Sequence, residues 1–360
     1  MTEAGHQAAV GAPHAPPKGL AVADVRLRGV VSALPSRRLD NVDFETQFGP
    51  EGVADVVKMI GVEHRYWVET GQTASDLCFL AAQRLLTRLD WAPDSVDALV
   101  FVTQTPDQRL PATACVLHGR LGLSSRCQAF DVGLGCSGYV YGLWLAALLI
   151  QGGCSRVLLL AGETSSRLID PNDRATALLF GDAGTASGLE RSPGAPPIHF
   201  VLGTDGAGAS NLIVSGGGFR TPEPDSRRPD SLAADHLFMD GGEVFSFTLR
   251  AVPKLVLETL ANGGVERERL DALLLHQANR FMLRHIVKKL GLTPAQAPIN
   301  IDRYGNTSSA SIPLLMTTDL ATRLTAAPMQ IMSVGFGVGY SWGSALMTLD
   351  SLACAETLAA

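Results

Sequence analysis

The stretch that most restricts what this chain can fold into is residues 127–151, CQAFDVGLGCSGYVYGLWLAALLIQ. An apolar strand over 127–132 meets a glycine-rich turn, Gly133–Leu134–Gly135, and a helix opens after Cys136, Ser137 and Gly138. That helix is too apolar to face water. It is also too short and too interrupted by glycine to cross a bilayer, so it belongs inside protein. Glycines on both sides of Cys136 remove the side chains that would shield its sulfur and let the backbone turn sharply. A sulfur in the first turn of a helix meets unpaired N–H groups and the positive end of the macrodipole. Such a place lowers a thiol's pKa and suits a nucleophile. The competing reading is a small apolar residue packed in a core. The stretch alone leaves both open.

With 360 residues the chain can bury a large core, as two domains or one large double unit. Its 37 glycines fit tight βα turns better than disorder, because 46% of the residues are hydrophobic. A net charge of −6 argues against a general nucleic-acid binder. The six cysteines form no C-x-x-C pair and have no metal-ligand spacing, so neither a disulfide framework nor a metal site is expected. The N-terminal residues lack the basic-then-apolar order of a signal peptide, and a cytoplasmic, reducing setting is the expectation.

Residues 1–20 read as a disordered tail. Structure begins with a strand over 25–32, followed by one or two short helices over 41–61. An amphipathic helix covers 73–89, with Thr73 or Ser75 as its cap. A continuous apolar strand follows at 96–103, and a helix over 111–121 carries a proline in its first turn. Another strand covers 156–161, and residues 191–200 and 203–235 look like loops. A second set then repeats the first in kind: helices over 244–261, 279–290 and 306–324, and strands over 270–275, 328–334 and 344–349. Alternation of this sort means largely parallel sheets with helices on their faces, here as a duplicated α/β unit. Ligands of such sheets sit at the carboxyl ends of strands, where Cys136 and the turn after Leu275 fall.

Three further sets carry chemistry. His276 follows the apolar strand directly in LLLHQANRFM, either as part of a catalytic turn or at a helix start capped by Asn279. Asn306, in YGNTSSASIP, reads as an N-cap or as an amide donor. The segment SVGFGVGYSWGSAL offers backbone N–H groups for an oxyanion hole, or a plain hairpin. A cysteine, a histidine and an asparagine on strand-end turns together form an acyl-transfer set.

With these residues in hand, the chain resembles the ketoacyl-ACP synthase III branch of the thiolase-like condensing enzymes over nearly all of residues 21–350. The shared stretches are DVGLGCSG, DPNDRAT, LFGDAGTA, MDGGEVF, HQAN, GNTSSASIP and GFGVGYSWGSAL. The resemblance implies a five-layered αβαβα thiolase fold of two similar halves and a homodimer. By it, 1–20 is a tail, 21–196 carries the nucleophile, 197–352 carries His276 and Asn306, and 353–360 is a C-terminal tail. It also implies that Cys136 takes an acyl group from a thioester primer. His276 and Asn306 then hold the carbonyl oxygen of malonyl-ACP as carbon dioxide leaves, and the carbanion attacks the acyl-cysteine. The backbone amides of Cys136 and Gly337 would hold the oxyanion. No cofactor and no metal are implied, and fatty-acid and polyketide metabolism both remain open. Phe180 and Asp182 read as structural.

Two departures from the family pattern stand out. The Trp and Arg that grip the adenine of CoA in the family align with Asp55 and Met59, although Arg174 remains. After HQAN, Arg280 and Phe281 replace the usual Leu-Arg, displacing the docking arginine by one position. Arg280, Arg284 and Lys288 nevertheless recur at four-residue steps on one helix face, either an ordinary solvated face or a docking stripe for an acidic acyl carrier protein. Leu110 occupies the position of the family's primer gate. A second reading is a thiolase-fold acyltransferase that passes the acyl group to an alcohol or amine. A third is an inactive carrier-protein-binding subunit.

Overall fold

The helix after Cys136 spans Gly138–Gln151 and lies between two β-sheets. In this computed structural model, which describes residues 19–221 and 235–360, the first sheet has six strands. Their order is Cys354–Ala359, Val25–Leu34, Ala183–Arg191, Arg156–Glu163, Ala98–Val102 and Gln128–Val132. The second sheet has five, in the order Leu20–Val22, Ile198–Thr204, Ser341–Leu349, Met329–Gly337 and Ala272–Leu275. Four strands of one sheet match four of the other in sequence order. In both sheets their first two pairings are antiparallel and the third is parallel. The duplication read from the sequence is thus a property of the topology.

Strand alternation makes the layers. Ala98, Val100 and Val102 pack toward Gly138–Gln151 and Ser311–Thr318, whereas Leu99 and Phe101 pack on Ala74–Leu89 and Thr113–Leu121. In the second sheet Ala272 and Leu274 join the same central core, and Leu273 and Leu275 pack on Gly241–Gly263 and Arg280–Leu290. Helix, sheet, helix, sheet and helix give five layers. Central residues such as Leu143 and Ile150 are fully buried, each contributing about 1.5–3 kcal/mol. One stripe of the central helix stays uncovered: Trp144 and Leu145 are half-buried and Leu148 is exposed.

Several expectations need correction. Residues 353–360 are not a tail: Cys354–Ala359 is a strand pairing in parallel with Val25–Leu34. Leu20–Val22 pairs with Ile198–Thr204, so the two halves exchange their outer strands and do not part cleanly at residue 196. Ile198–Thr204 itself falls where a loop was expected to begin. The helix expected over 306–324 is broken into a turn at Ser308–Ala310 and helices Ser311–Thr318 and Ala321–Ala326. Ser308 has φ 50°, which no helix accommodates. The helix expected to begin at Pro111 begins at Thr113. The expected cap of the 73–89 helix is Thr73, in a capping box with Asp76. Most of the expected N-terminal tail, residues 1–18, lies outside the described residues, as do residues 222–234 of the loop expected over 203–235.

Candidate active site

The turn after Gln128–Val132 delivers Cys136 to the inner end of a cavity of about 640 Å³. Ser137 is the N-cap of the following helix, so Cys136 lies just before the first turn rather than in it. The backbone of 335–338 presses on the cysteine from the second sheet. A Cβ at Gly337 would lie 2.8 Å from Cys136 Cβ and 3.0 Å from its Sγ, and one at Gly335 would lie 2.8 Å from Cys136 O. With φ at 153°, Gly337 also holds a backbone conformation that other residues rarely adopt. Glycine is therefore required for this approach.

Burial pushes the Cys136 thiol up from its ordinary pKa. The Ser308 hydroxyl, 3.7 Å from the sulfur, and the backbone N–H groups of Val338 and Cys136 act the other way without overcoming burial. The depressed pKa expected from a helix terminus is corrected: desolvation outweighs the donors. The N–H groups that reach the sulfur are those of Val338 and of Cys136 itself, and Gly337 supplies closeness. The Val338 carbonyl is held by the Ser341 hydroxyl at 2.8 Å, which in turn meets Ser137 Oγ at 2.6 Å.

His276 follows Ala272–Leu275 and is anchored by its N–H to Val334 O at 2.8 Å. Its Nδ1 meets Ser311 Oγ at 2.7 Å, and the residue lines the same cavity as Cys136. Burial drives its pKa down to about 3, so the ring is neutral at physiological pH. Asn306 sits on a short bridge to Phe180, with Asn306 N donating to Leu179 O at 2.9 Å and Gly181 N donating to Asn306 O at 3.1 Å. Its Oδ1 accepts the Ser308 N–H at 2.9 Å, leaving the amide N–H₂ as the free end. All three expected residues thus line one cavity, built from both halves of the chain.

The structure also shows what the motifs did not. Glu163, at the end of Arg156–Glu163, lines the cavity and is 2% exposed. It accepts from Gln104 N, Thr105 Oγ1 and Ser309 Oγ at 3.1, 2.9 and 3.3 Å. The signal for it was a lone carboxylate closing the apolar run RVLLLAGE. Asp182, read as structural, accepts from Val68 N, Ser166 N and Ser166 Oγ. Beneath it, the buried guanidinium of Arg65 donates to Asn41 Oδ1 and Ala177 O between the rings of Phe44 and Trp67.

The outer residues divide. Arg174, Met59 and Phe281 line the cavity, and Met59 and Phe281 are more than half exposed at its rim. Asp55 is exposed on the same helix, Pro50–Ile60, and is not among the lining residues. Arg280 is half-buried against Gly61, whereas Arg284 and Lys288 are exposed. Leu110, expected at the primer gate, is 84% exposed and is not among the residues lining this chain's cavity.

Comparison with known proteins agrees with this geometry. Residues 130–206 match the family model described as 3-oxoacyl-[acyl-carrier-protein (ACP)] synthase III, and residues 260–349 match its C-terminal counterpart. The beta-ketoacyl-[acyl-carrier-protein] synthase III of Desulfitobacterium hafniense is 35% identical over 90% of this chain and 97% of its own. The crystal structure of a 3-oxoacyl-(acyl-carrier protein) synthase from Burkholderia xenovorans superimposes with a TM-score of 0.92 at 51% identity, covering 95% of this chain and 99% of that one. The synthase III from Thermus thermophilus gives a TM-score of 0.81 at 34% identity, over 91% and 99%. On the fold, the cavity and these matches together, the chain belongs to the 3-oxoacyl-[acyl-carrier-protein] synthase III family of thiolase-fold condensing enzymes.

Proposed function

We propose that this enzyme moves an acyl group from a thioester primer to Cys136 and condenses it with a malonyl thioester carried by acyl carrier protein. The primer's freed thiol, carbon dioxide and a 3-oxoacyl thioester are the products. Cys136 is the nucleophile, and its proton leaves on the thiol that the primer releases. Asn306 donates to the malonyl carbonyl oxygen as negative charge develops there during decarboxylation, with His276 beside it. The amides of Cys136 and Val338 hold the oxyanion of the acyl thioester. Preoriented donors of this kind act without reorganising as the charge forms. The chemistry draws its carbanion from decarboxylation and calls on no cofactor.

One observation carries the reading: Asn306 is fixed by the Ser308 N–H with its donor end free in the cavity of Cys136. Plain acyl transfer to an alcohol or amine has no carbanion to stabilise, so this donor favours condensation over that alternative. Arg284 and Lys288 are the exposed cations of the docking face for an acidic carrier protein, and Arg280 and Arg174 act at the mouth. The uncovered stripe of Trp144, Leu145 and Leu148 supports a homodimer, as does the half-buried edge strand Gln128–Val132. Leu110 keeps a gating role only across such an interface. No helix among the described residues is long and apolar enough to cross a membrane, in keeping with work in the cytoplasm.

The test is carbon dioxide release from malonyl-ACP in the presence of primer, with peptide mapping of the acylated enzyme. Condensation releases carbon dioxide and places the acyl label on Cys136. Transfer without release of carbon dioxide, or a label that survives Cys136→Ala, would sink the reading.

A further inference from the structure

Glu163 is a buried carboxyl in the active-site wall that the reaction outlined above does not use. Its two oxygens both accept from Gln104 N at 3.1 Å, and Thr105 Oγ1 donates to it at 2.9 Å. Thr105 Oγ1 in turn accepts Thr164 N at 3.0 Å, which fixes the direction of that hydroxyl. The side chain of Gln104 lies directly over Gly135, where a Cβ would be 2.2 Å from Gln104 Oε1. Gln104 is thus the shelf behind the residue that precedes Cys136. On its other side Glu163 takes the Ser309 hydroxyl at 3.3 Å. Ser309 belongs to the turn Ser308–Ala310, whose Ser308 N–H orients Asn306.

From these contacts we infer that Glu163 is a positioning residue. It joins the Gln104 shelf behind Cys136 to the turn that carries Asn306, and so holds nucleophile and donor in one register across the two halves of the chain. This inference rests on the condensation reading for its choice of half-reactions.

The chemistry of the site adds a charge requirement. Burial pushes the Glu163 carboxyl up to about 8, and the charge of Cys136 pushes it the same way, against the hydrogen bonds from Thr105, Gln104 and Ser309. The other titratable group that faces it is the buried thiol of Cys78, itself held un-ionised by burial. Near neutral pH burial thus favours the protonated form of Glu163, which opposes a Cys136 thiolate less than a full carboxylate would. Above that range a carboxylate stands behind Cys136 and opposes its thiolate.

The experiment uses the full chain and three readouts. They are alkylation of the Cys136 peptide by iodoacetamide across the neutral and alkaline range, acylation of Cys136 by primer, and carbon dioxide release from malonyl-ACP. In Glu163→Gln the alkylation profile of Cys136 moves to lower pH and the rate on its alkaline side rises by about threefold or more. Glu163→Ala lowers both half-reactions by about tenfold or more, as expected when buried anchors are lost. Gln recovers much of that loss, because its oxygen can face Gln104 and Thr105 while its amide faces Ser309. Identical alkylation profiles for wild type and Glu163→Gln overturn the charge requirement. Full rates in Glu163→Ala overturn the positioning role. Should Glu163→Ala not fold, Ser309→Ala cuts the tie to Asn306's turn alone, and carbon dioxide release must then fall relative to acylation by about fivefold. An unchanged ratio overturns the inference. A wild-type enzyme that releases no carbon dioxide would instead sink the condensation reading, and the alkylation comparison would still stand.

Discussion

Asn306 Oδ1 accepts the Ser308 N–H at 2.9 Å, and this bond decides which end of the amide faces the cavity shared with Cys136. Thr307, at φ −93° and ψ 23°, turns the chain so that the Ser308 N–H meets the side chain two residues earlier. A carboxylate in place of the amide would keep the bond to Ser308 and lose the donor. Asn306→Asp is therefore the sharper variant: it should lower carbon dioxide release by about a hundredfold, the usual cost of one such donor, and acylation by much less. Stopped-assay carbon dioxide trapping beside intact-mass acylation separates the two. Equal losses would show that the loop, and not the donor, had been damaged.

The neutral state of His276 makes a prediction about stability. Its pKa falls from the ordinary 6.5 to about 3 in the folded chain through burial. The unfolded chain therefore binds a proton that the native chain refuses between those values. Native stability from this group is intact above the upper value and drains away as pH falls through the lower one. His276→Gln should flatten that dependence, narrowing the drop in Tm between neutral and mildly acidic buffer relative to wild type. Calorimetry at matched ionic strength measures it. Parallel curves for the two proteins would mean that His276 is not the group responsible.

Gly337 offers a test of the close approach itself. An added Cβ would press on both Cβ and Sγ of Cys136, and the φ of 153° would strain any other residue. Gly337→Ala should cost acylation by about tenfold or more while the far-UV circular dichroism spectrum stays native, since the site and not the sheet is disturbed. Acylation at the wild-type rate would show that the strand can retreat without moving the Val338 amide.

How much of this was legible beforehand follows from how local each signal is. Cys136, His276 and Asn306 each sit where a run of apolar or small residues meets a turn, and that pattern spans under ten positions. Glu163 and Ser309 lie 146 residues apart, and no local pattern pairs them. Nor does any pattern tell Cys354–Ala359 to lie beside Val25–Leu34, since strand pairing is a property of the folded sheet. Glycine in GFGVG was readable as a backbone approach. Which of the neighbouring amides meets the sulfur depends on the conformation of the loop, and it is that of Val338. The pKa direction of Cys136 failed for a similar reason: a helix terminus is visible in sequence, and the depth of burial is not.

The proposed carrier-docking face separates into a structural and an electrostatic part. Arg280 packs against Gly61, so reversing its charge would disturb the mouth as well as the field. Arg284 and Lys288 are exposed and free of that complication. Arg284→Glu with Lys288→Glu should raise KM for malonyl-ACP several-fold, less so at high salt, while a small malonyl thioester is handled as before. Equal effects on both donors would mark the face as structural.

The same reasoning at the rim bears on how the primer arrives. The resemblance aligns Met59 with the family's adenine-gripping arginine, and Met59 is 57% exposed at the edge of the cavity, which the exposed Phe281 also lines. A thioether there offers neither a phosphate-pairing charge nor an aromatic face, each worth about 1 kcal/mol or more in a nucleotide site. Asp55 lies one turn earlier on the same helix, exposed to solvent, and adds a carboxylate on the approach to the mouth for CoA's phosphates. Arg174 is the one cation retained from the pattern. It lies against the same helix, where a Cβ at Gly52 would be 2.8 Å from its Nη1. One cation cannot replace a stacked ring and a second cation. A primer on acyl carrier protein avoids the deficit, since its recognition draws on the protein surface and the pantetheine arm. The expected outcome is a higher kcat/KM for acylation of Cys136 when one acyl group is presented on carrier protein than on CoA. Met59→Arg should narrow that gap by about fivefold by restoring a phosphate partner. A wild-type preference for CoA would refute the idea, and a Met59→Arg variant with an unaltered ratio would show that the nucleotide never reaches this rim.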